Sequence, residues 1–203
     1  MKRLVCSLDG TWNDEDGASL LTNVAKLHSA IPPRDGRGVR QLVRYIAGIA
    51  TTEGQRFTFL RGAVGLEVGA RIKLGYQFLC ASYEPGDEIY LFGFSRGAFE
   101  ARSLASFVTL FGIARKSGDF SFDEAWKLYR QSDHRRNVDA LARLSAACHY
   151  PVRIRCIGAW DTVGNIGNPL NGAARVSRRL TFHDTRLHDT IDVALHALAI
   201  DEQ

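Results

Sequence analysis

Residues 88–112 read EIYLFGFSRGAFEARSLASFVTLFG, and the fold is decided there. Glu88 to Phe92 is a short apolar run of the kind that forms a buried strand. Ala98 to Phe111 carries apolar residues at helical spacing, and Gly112 ends the run. Between them lies Gly93-Phe94-Ser95-Arg96-Gly97, a G-x-S-x-G sequence placed directly after a strand and opening a helix. The pattern alone is weak, but strand, turn and helix in immediate succession is the setting of a nucleophile elbow. The physics is steric. A turn this sharp forces Ser95 into a strained backbone conformation, and side chains at positions 93 and 97 would collide with the strand and the helix. Such a turn exposes a serine hydroxyl at a helix N-terminus, where partial positive charge favours a developing oxyanion. A glycine-serine turn that merely packs closely, or a cradle for phosphate, would use the same residues.

Upstream, Leu4 to Leu8 is a second apolar run, closed by Asp9-Gly10. Thr22-Asn23 then caps an amphipathic helix that stops at Pro32-Pro33. Leu42 to Ile46 is a further strand, 48–66 an irregular glycine-bearing stretch, and Glu67 to Tyr83 a helix ended by the turn Glu84-Pro85-Gly86-Asp87. Downstream, helices are expected over Phe122–Gln131 and Asn137–Ala147, a strand over Arg153–Ala159, a loop over 160–180 and a last helix over His188–Ile200. Strands alternating with helices predict an α/β fold with a mostly parallel central sheet covered by helices on both faces. Ligands of such sheets sit at the carboxyl ends of the strands.

Those ends carry the other candidates. Trp160-Asp161-Thr162-Val163-Gly164 follows the strand after the elbow, where a hydrolase of this type places the acid that orients its histidine. Asp161 is therefore the expected acid, with an Asx-turn or helix cap as the plainer role. Asp9-Gly10-Thr11 follows the first strand. A backbone N–H from Gly10 or Thr11, together with that of Arg96, would make a two-donor oxyanion hole. Asp9 would support this loop or hold a cation; the plain alternative is an ordinary turn with Trp12 in the core.

Composition narrows the class. The chain has 203 residues, 45% hydrophobic and 24% charged, which excludes collagen-like and disordered chains. No apolar run reaches membrane-spanning length, and the run after Lys2-Arg3 is too short for a secretory signal. A cytoplasmic start is expected, with export by a dedicated machine left open. The net charge of +4 suits a solvated surface or contact with anionic lipid, and no nucleic-acid signature accompanies it. Cys6, Cys80, Cys148 and Cys156 form no CxxC pair and read as buried hydrophobes of a reducing compartment. A nucleotide-binding reading of the glycines near 62–69 fails for want of a spaced G-x-G-x-x-G after a strand.

SLDGTWND, TNVAKL, YEPGDEIYLFGFSRGAFEARSLASFV, GAWDTVGNIGNP and HALAIDE occur in one order along the whole chain. In that order they resemble the DUF2235 family, α/β-hydrolase domains related to the Tle1-type phospholipase effectors of type VI secretion. The resemblance implies an α/β-hydrolase fold over residues 1–203, a Ser-Asp-His triad and hydrolysis of lipid or other esters without cofactor or metal. It implies Ser95 as nucleophile and Asp161 as acid. It also implies membrane-surface contact and leaves a secretion or immunity partner open. Family members carry the catalytic histidine in a G-x-H-x-D-x-G-G segment downstream of HALAIDE, and this sequence contains none. The expectation is thus a domain incomplete at its C-terminus, with His196, on the last expected helix, as stand-in base, ahead of His183 and His188. A catalytically impaired remnant or binding scaffold of the same fold is the alternative.

Overall fold

A computed structural model of the protein describes residues 1–10, 21–48, 64–131, 137–161 and 188–198. The strands are β1 (Arg3–Leu8), β2 (Gln41–Ile46), β3 (Glu88–Phe94), β4 (Ile113–Ala114), β5 (Cys148–His149), β6 (Cys156–Trp160) and β7 (Ala194–Ala197). The helices among the described residues are α1 (Asn23–Ala30), α2 (Val64–Ser82), α3 (Arg96–Phe111), α4 (Phe122–Tyr129) and α5 (Val138–Ala146). Five strands form one sheet in the order β2-β1-β3-β6-β7, every neighbouring pair parallel. β4 and β5 form a small antiparallel pair apart from it.

This order fixes the layers. The chain steps from β1 outward to β2, then back past β1 to β3 and on to β6. Parallel crossovers are right-handed, so reversing the step moves the connecting helix to the other face. α1 therefore covers one face, and α2 and α3 the other. Burial agrees. Leu4, Cys6 and Leu8 of β1 join Ile72 and Leu79 of α2 and Leu104 of α3 in one core cluster. Val5, Val24 and Ala25 are equally hidden from water but stand outside that cluster. At Gly75 a β-carbon would lie 2.8 Å from Leu104 Cδ2 and 3.4 Å from Cys6 Sγ, so α2 presses closely on both sheet and neighbouring helix.

The point where the order reverses lies between β1 and β3. Adjacent connections there leave in opposite directions, and in sheets of this kind ligands bind at such a point, beyond the carboxyl ends of the strands. In register, Leu8 stands beside Gly93, Gly93 beside Ala159 and Phe94 beside Trp160. Asp9, Ser95 and Asp161 are thus the first residues past three neighbouring strand tips.

The segment expected as a last helix is instead β7. It pairs with β6 through Ile157–Ala194, Gly158–Leu195, Ala159–His196 and Trp160–Ala197, and is exposed along its length. His196 therefore lies on an edge strand. β6 also starts later than expected, at Cys156, and Asp192 forms ion pairs with Arg153 and Arg155. All four cysteines are free thiols, and burial pushes that of Cys6 up to about 12, which leaves it chemically quiet at neutral pH.

Thr22 caps α1 as the sequence suggests: its hydroxyl accepts from the Ala25 N–H at 3.0 Å and donates to Asp9 Oδ2 at 2.6 Å. Thr22→Ala removes both bonds, and Asp9 Oδ2 keeps only the Tyr45 hydroxyl as a donor. A loss of about 1–2 kcal/mol is expected, read as a lower urea midpoint at unchanged slope.

Candidate active site

Ser95 has φ 53° and ψ −116°, a left-handed conformation that a residue with a β-carbon rarely adopts. Two anchors impose it. Its N–H donates to Trp160 O at 2.9 Å, extending the β3–β6 ladder one residue past the strands. Its carbonyl accepts from the Ala98 and Phe99 N–H groups, opening α3. The hydroxyl makes no capping bond to the helix it precedes, and the residue is half-buried. The glycines on either side meet the steric demand. A β-carbon at Gly93 would lie 2.3 Å from Gly97 O, and one at Gly97 would lie 2.1 Å from Leu8 O.

Arg96 is the first residue of α3, where helix geometry leaves N–H groups without intrahelical acceptors. Gly10 closes on the same place from β1. A β-carbon there would stand 2.9 Å from the Phe94 ring and 3.2 Å from Phe94 O. One expectation needs correction. The Gly10 N–H is not available to an oxyanion; it donates to Asp9 Oδ1 at 2.7 Å. The role of Gly10 is close approach, and Thr11, the other donor expected from this turn, lies outside the described residues. Asp9 is buried, and its carboxylate also accepts from Thr22 and from the Tyr45 hydroxyl. These bonds hold the turn.

Asp161 follows Trp160 at the tip of β6 with φ 47°, a second left-handed residue without glycine. Its N–H donates to Ala197 O of β7 at 2.9 Å. Ser95 and Asp161 each lie one residue past the paired Phe94 and Trp160, so the sheet carries their backbones side by side. His196 is in register with Ala159, two residues short of Asp161, and among the described residues no hydrogen bond joins it to Asp161 or Ser95. Thr162 to Leu187, including His183, lie outside the described residues. Among the described residues no group of three or more His, Cys, Asp or Glu is arranged to hold a metal ion.

Beneath the turn lies a pair that the sequence did not single out. Arg71 of α2 and Glu100 of α3 are both buried. Arg71 Nε meets Glu100 Oε2 at 2.7 Å and Oε1 at 2.9 Å. The two other guanidinium nitrogens donate to backbone: Nη2 to Asp9 O at 2.6 Å, and Nη1 to Ala47 O. Burial pushes the Glu100 carboxyl up to about 7, with the Arg71 charge opposing the rise. A carboxyl raised in the fold binds more protons there than in the unfolded chain between its ordinary value of 4.5 and about 7. Its contribution to stability therefore falls as pH climbs through that window and is flat above it. Melting temperature followed from pH 4.5 to 8 should show this decline, and Glu100→Gln should flatten it.

No helix of the described residues is long and apolar enough to cross a membrane. The family model for the T6SS phospholipase effector Tle1-like catalytic domain matches residues 2–203. An uncharacterized protein of Saccharomyces cerevisiae, YEL023C, is 26% identical over 224 aligned residues, which take in 100% of this chain and 31% of that protein. The chain thus spans about a third of the length of this curated relative. A solved structure of the Tle1 effector bound to the VgrG spike of the type 6 secretion system is similar over 96% of this chain and 44% of that one. The TM-score is 0.46 at 18% identity.

Proposed function

The chain belongs to the family of Tle1-like phospholipase effector catalytic domains of type VI secretion, and from that premise we propose that it is a serine hydrolase of carboxylic esters, acting on phospholipid acyl chains. Ser95 Oγ attacks the acyl carbonyl, forming the Oγ–C bond while the carbonyl electrons move onto oxygen. The N–H groups of Arg96 and Thr11 receive that oxyanion. A histidine held by Asp161 takes the Ser95 proton and returns it to the departing alcohol. Water then cleaves the acyl-enzyme by the same path, releasing the fatty acid. His196 is the candidate base, because β7 borders β6, whose tip Asp161 follows.

The backbone at Ser95 carries the reading. Strain persists where surrounding structure over-determines it, and here the strand ladder, the helix start and two glycines all enforce one conformation. A plain turn has no use for a left-handed serine between two glycines. The lipid specificity rests on the family, and the net charge of +4 is compatible with an anionic membrane surface.

A second reading, a binding scaffold of the same fold, is favoured by the lack of a bond between His196 and Asp161. A fluorophosphonate probe separates the two. Labelling of the folded full-length protein at Ser95, lost in Ser95→Ala, is expected for the hydrolase. Folded protein that resists the probe and releases no fatty acid from phosphatidylethanolamine–phosphatidylglycerol vesicles would instead be the scaffold.

A further inference from the structure

Near the serine, one buried side chain outside the proposed catalytic set binds three parts of the fold at once. The Arg71 guanidinium spends Nε on the Glu100 carboxylate, Nη2 on the Asp9 carbonyl and Nη1 on the Ala47 carbonyl. Glu100 stands five residues after Ser95 on α3. Asp9 is the residue after β1, and Ala47 the residue after β2. We infer that Arg71 and Glu100 are positioning residues, a buried clamp that sets the Asp9–Gly10 peptide against the start of the serine-bearing helix. The inference rests on the proposed hydrolase reading for its catalytic consequence, though not for its geometry.

The geometry follows from the two ends of one peptide group. The Asp9 carbonyl points to Arg71, and the Gly10 N–H on the other side of the same plane points to the Asp9 carboxylate. Charged groups hold both ends, so the plane cannot turn. The carboxylate end is fixed in its turn by Thr22 and Tyr45. The contact at Gly97, whose β-carbon would stand 2.8 Å from Asp9 O, leaves no slack between this peptide and α3. Rotating the Asp9–Gly10 plane would swing the amide that follows it, the one proposed to meet the oxyanion. Oxyanion donors work only when aimed beforehand at the position the charged oxygen will take.

A buried ion pair is a poor device for stability alone. Desolvation of both charges offsets their attraction, and well-packed apolar replacements are often as stable. Three carbonyl and carboxylate partners on separate elements suit orientation instead.

The test uses the full-length protein with Arg71→Met, Glu100→Gln and the double variant Arg71→Met/Glu100→Leu. Three quantities are read: melting temperature, kcat and KM for p-nitrophenyl butyrate, and hydrogen exchange at the Gly10 amide. Arg71→Met should lower kcat about 100-fold, the order of one lost oxyanion donor, with KM changed by less than about 3-fold. Gly10 exchange should rise at least about 10-fold while amides of β3 stay protected. The double variant should regain melting temperature but not kcat, because the bonds to Asp9 and Ala47 remain absent. If kcat returns together with melting temperature, or Gly10 exchange does not change in folded Arg71→Met, the clamp is merely structural and the inference fails. Should the wild-type protein neither turn over ester nor take the fluorophosphonate, the hydrolase reading fails, and Gly10 exchange still decides whether the clamp holds the turn.

Discussion

Full-length protein carrying Ser95→Ala should fold as the wild type does and lose ester hydrolysis by roughly 10⁴- to 10⁶-fold, the scale seen when the nucleophile of a serine hydrolase is removed. The residual rate would come from oxyanion donors and substrate binding, which this substitution leaves in place. Stability should scarcely change, because alanine keeps the β-carbon and so keeps the strain at φ 53°. The informative companion is Ser95→Gly. Glycine occupies left-handed backbone without penalty, so this variant should be equally inactive yet more stable by about 1 kcal/mol or more. The pair is measured by release of fatty acid from vesicles and by urea unfolding. Activity lost with stability gained is the signature of a residue held in an unfavourable conformation for the sake of chemistry. A Ser95→Ala protein that still hydrolyses ester at a tenth of the wild-type rate would remove Ser95 from the mechanism.

The second large effect is structural. Gly97→Ala should cost roughly 3–5 kcal/mol, enough to unfold much of the protein near 37 °C given the ordinary margin of a domain. The β-carbon would stand 2.1 Å from Leu8 O, 2.6 Å from Leu8 C and 2.8 Å from Asp9 O. All three atoms are backbone at the end of β1, which is paired on both sides, to β2 and to β3. No side chain can rotate away to make room. Gly93→Ala meets Gly97 O at 2.3 Å and Ala98 Cα at 2.5 Å and should behave similarly. Gly75→Ala is the control. Its closest contact is Leu104 Cδ2 at 2.8 Å, the end of a flexible side chain, so a smaller loss of about 1–2 kcal/mol is expected. Urea midpoints of the three variants should fall in that order. Equal losses at positions 75 and 97 would mean that the β1–α3 contact yields more easily than its backbone pairing implies.

The elbow was legible because every part of it is local. Strand, glycines, serine and helix follow one another within a single stretch, and the steric reason for the glycines does not depend on distant residues. The cap by Thr22 was legible for the same reason. β7 was not. Its residues, Ala-Leu-His-Ala flanked by Val193 and Leu198, have the composition and spacing of an amphipathic helix. What makes them a strand is pairing with β6, through bonds such as Ile157 N–H to Val193 O at 2.9 Å, and no local pattern carries that information. The Arg71–Glu100 clamp escaped because its members lie 29 positions apart on different helices. The available signal was a charged residue within each helix's apolar stretch, Arg71 beside Ile72 and Glu100 between Phe99 and Ala101. The Gly10 amide was aimed wrongly, since the backbone turns its N–H onto the Asp9 carboxylate, a local bond that the residue types alone do not reveal.

β7 gives the sheet an unfinished margin. Among the described residues nothing pairs with its outer side, and Leu195 and Leu198 stand in water, 59% and 70% exposed. The strand order reverses between β1 and β3, with β6 standing between that point and the margin, and among the described residues the bond joining β7 to the candidate site is the one from Asp161 to Ala197. A fold arranged in this way can be widened at its rim while its centre stays as it is.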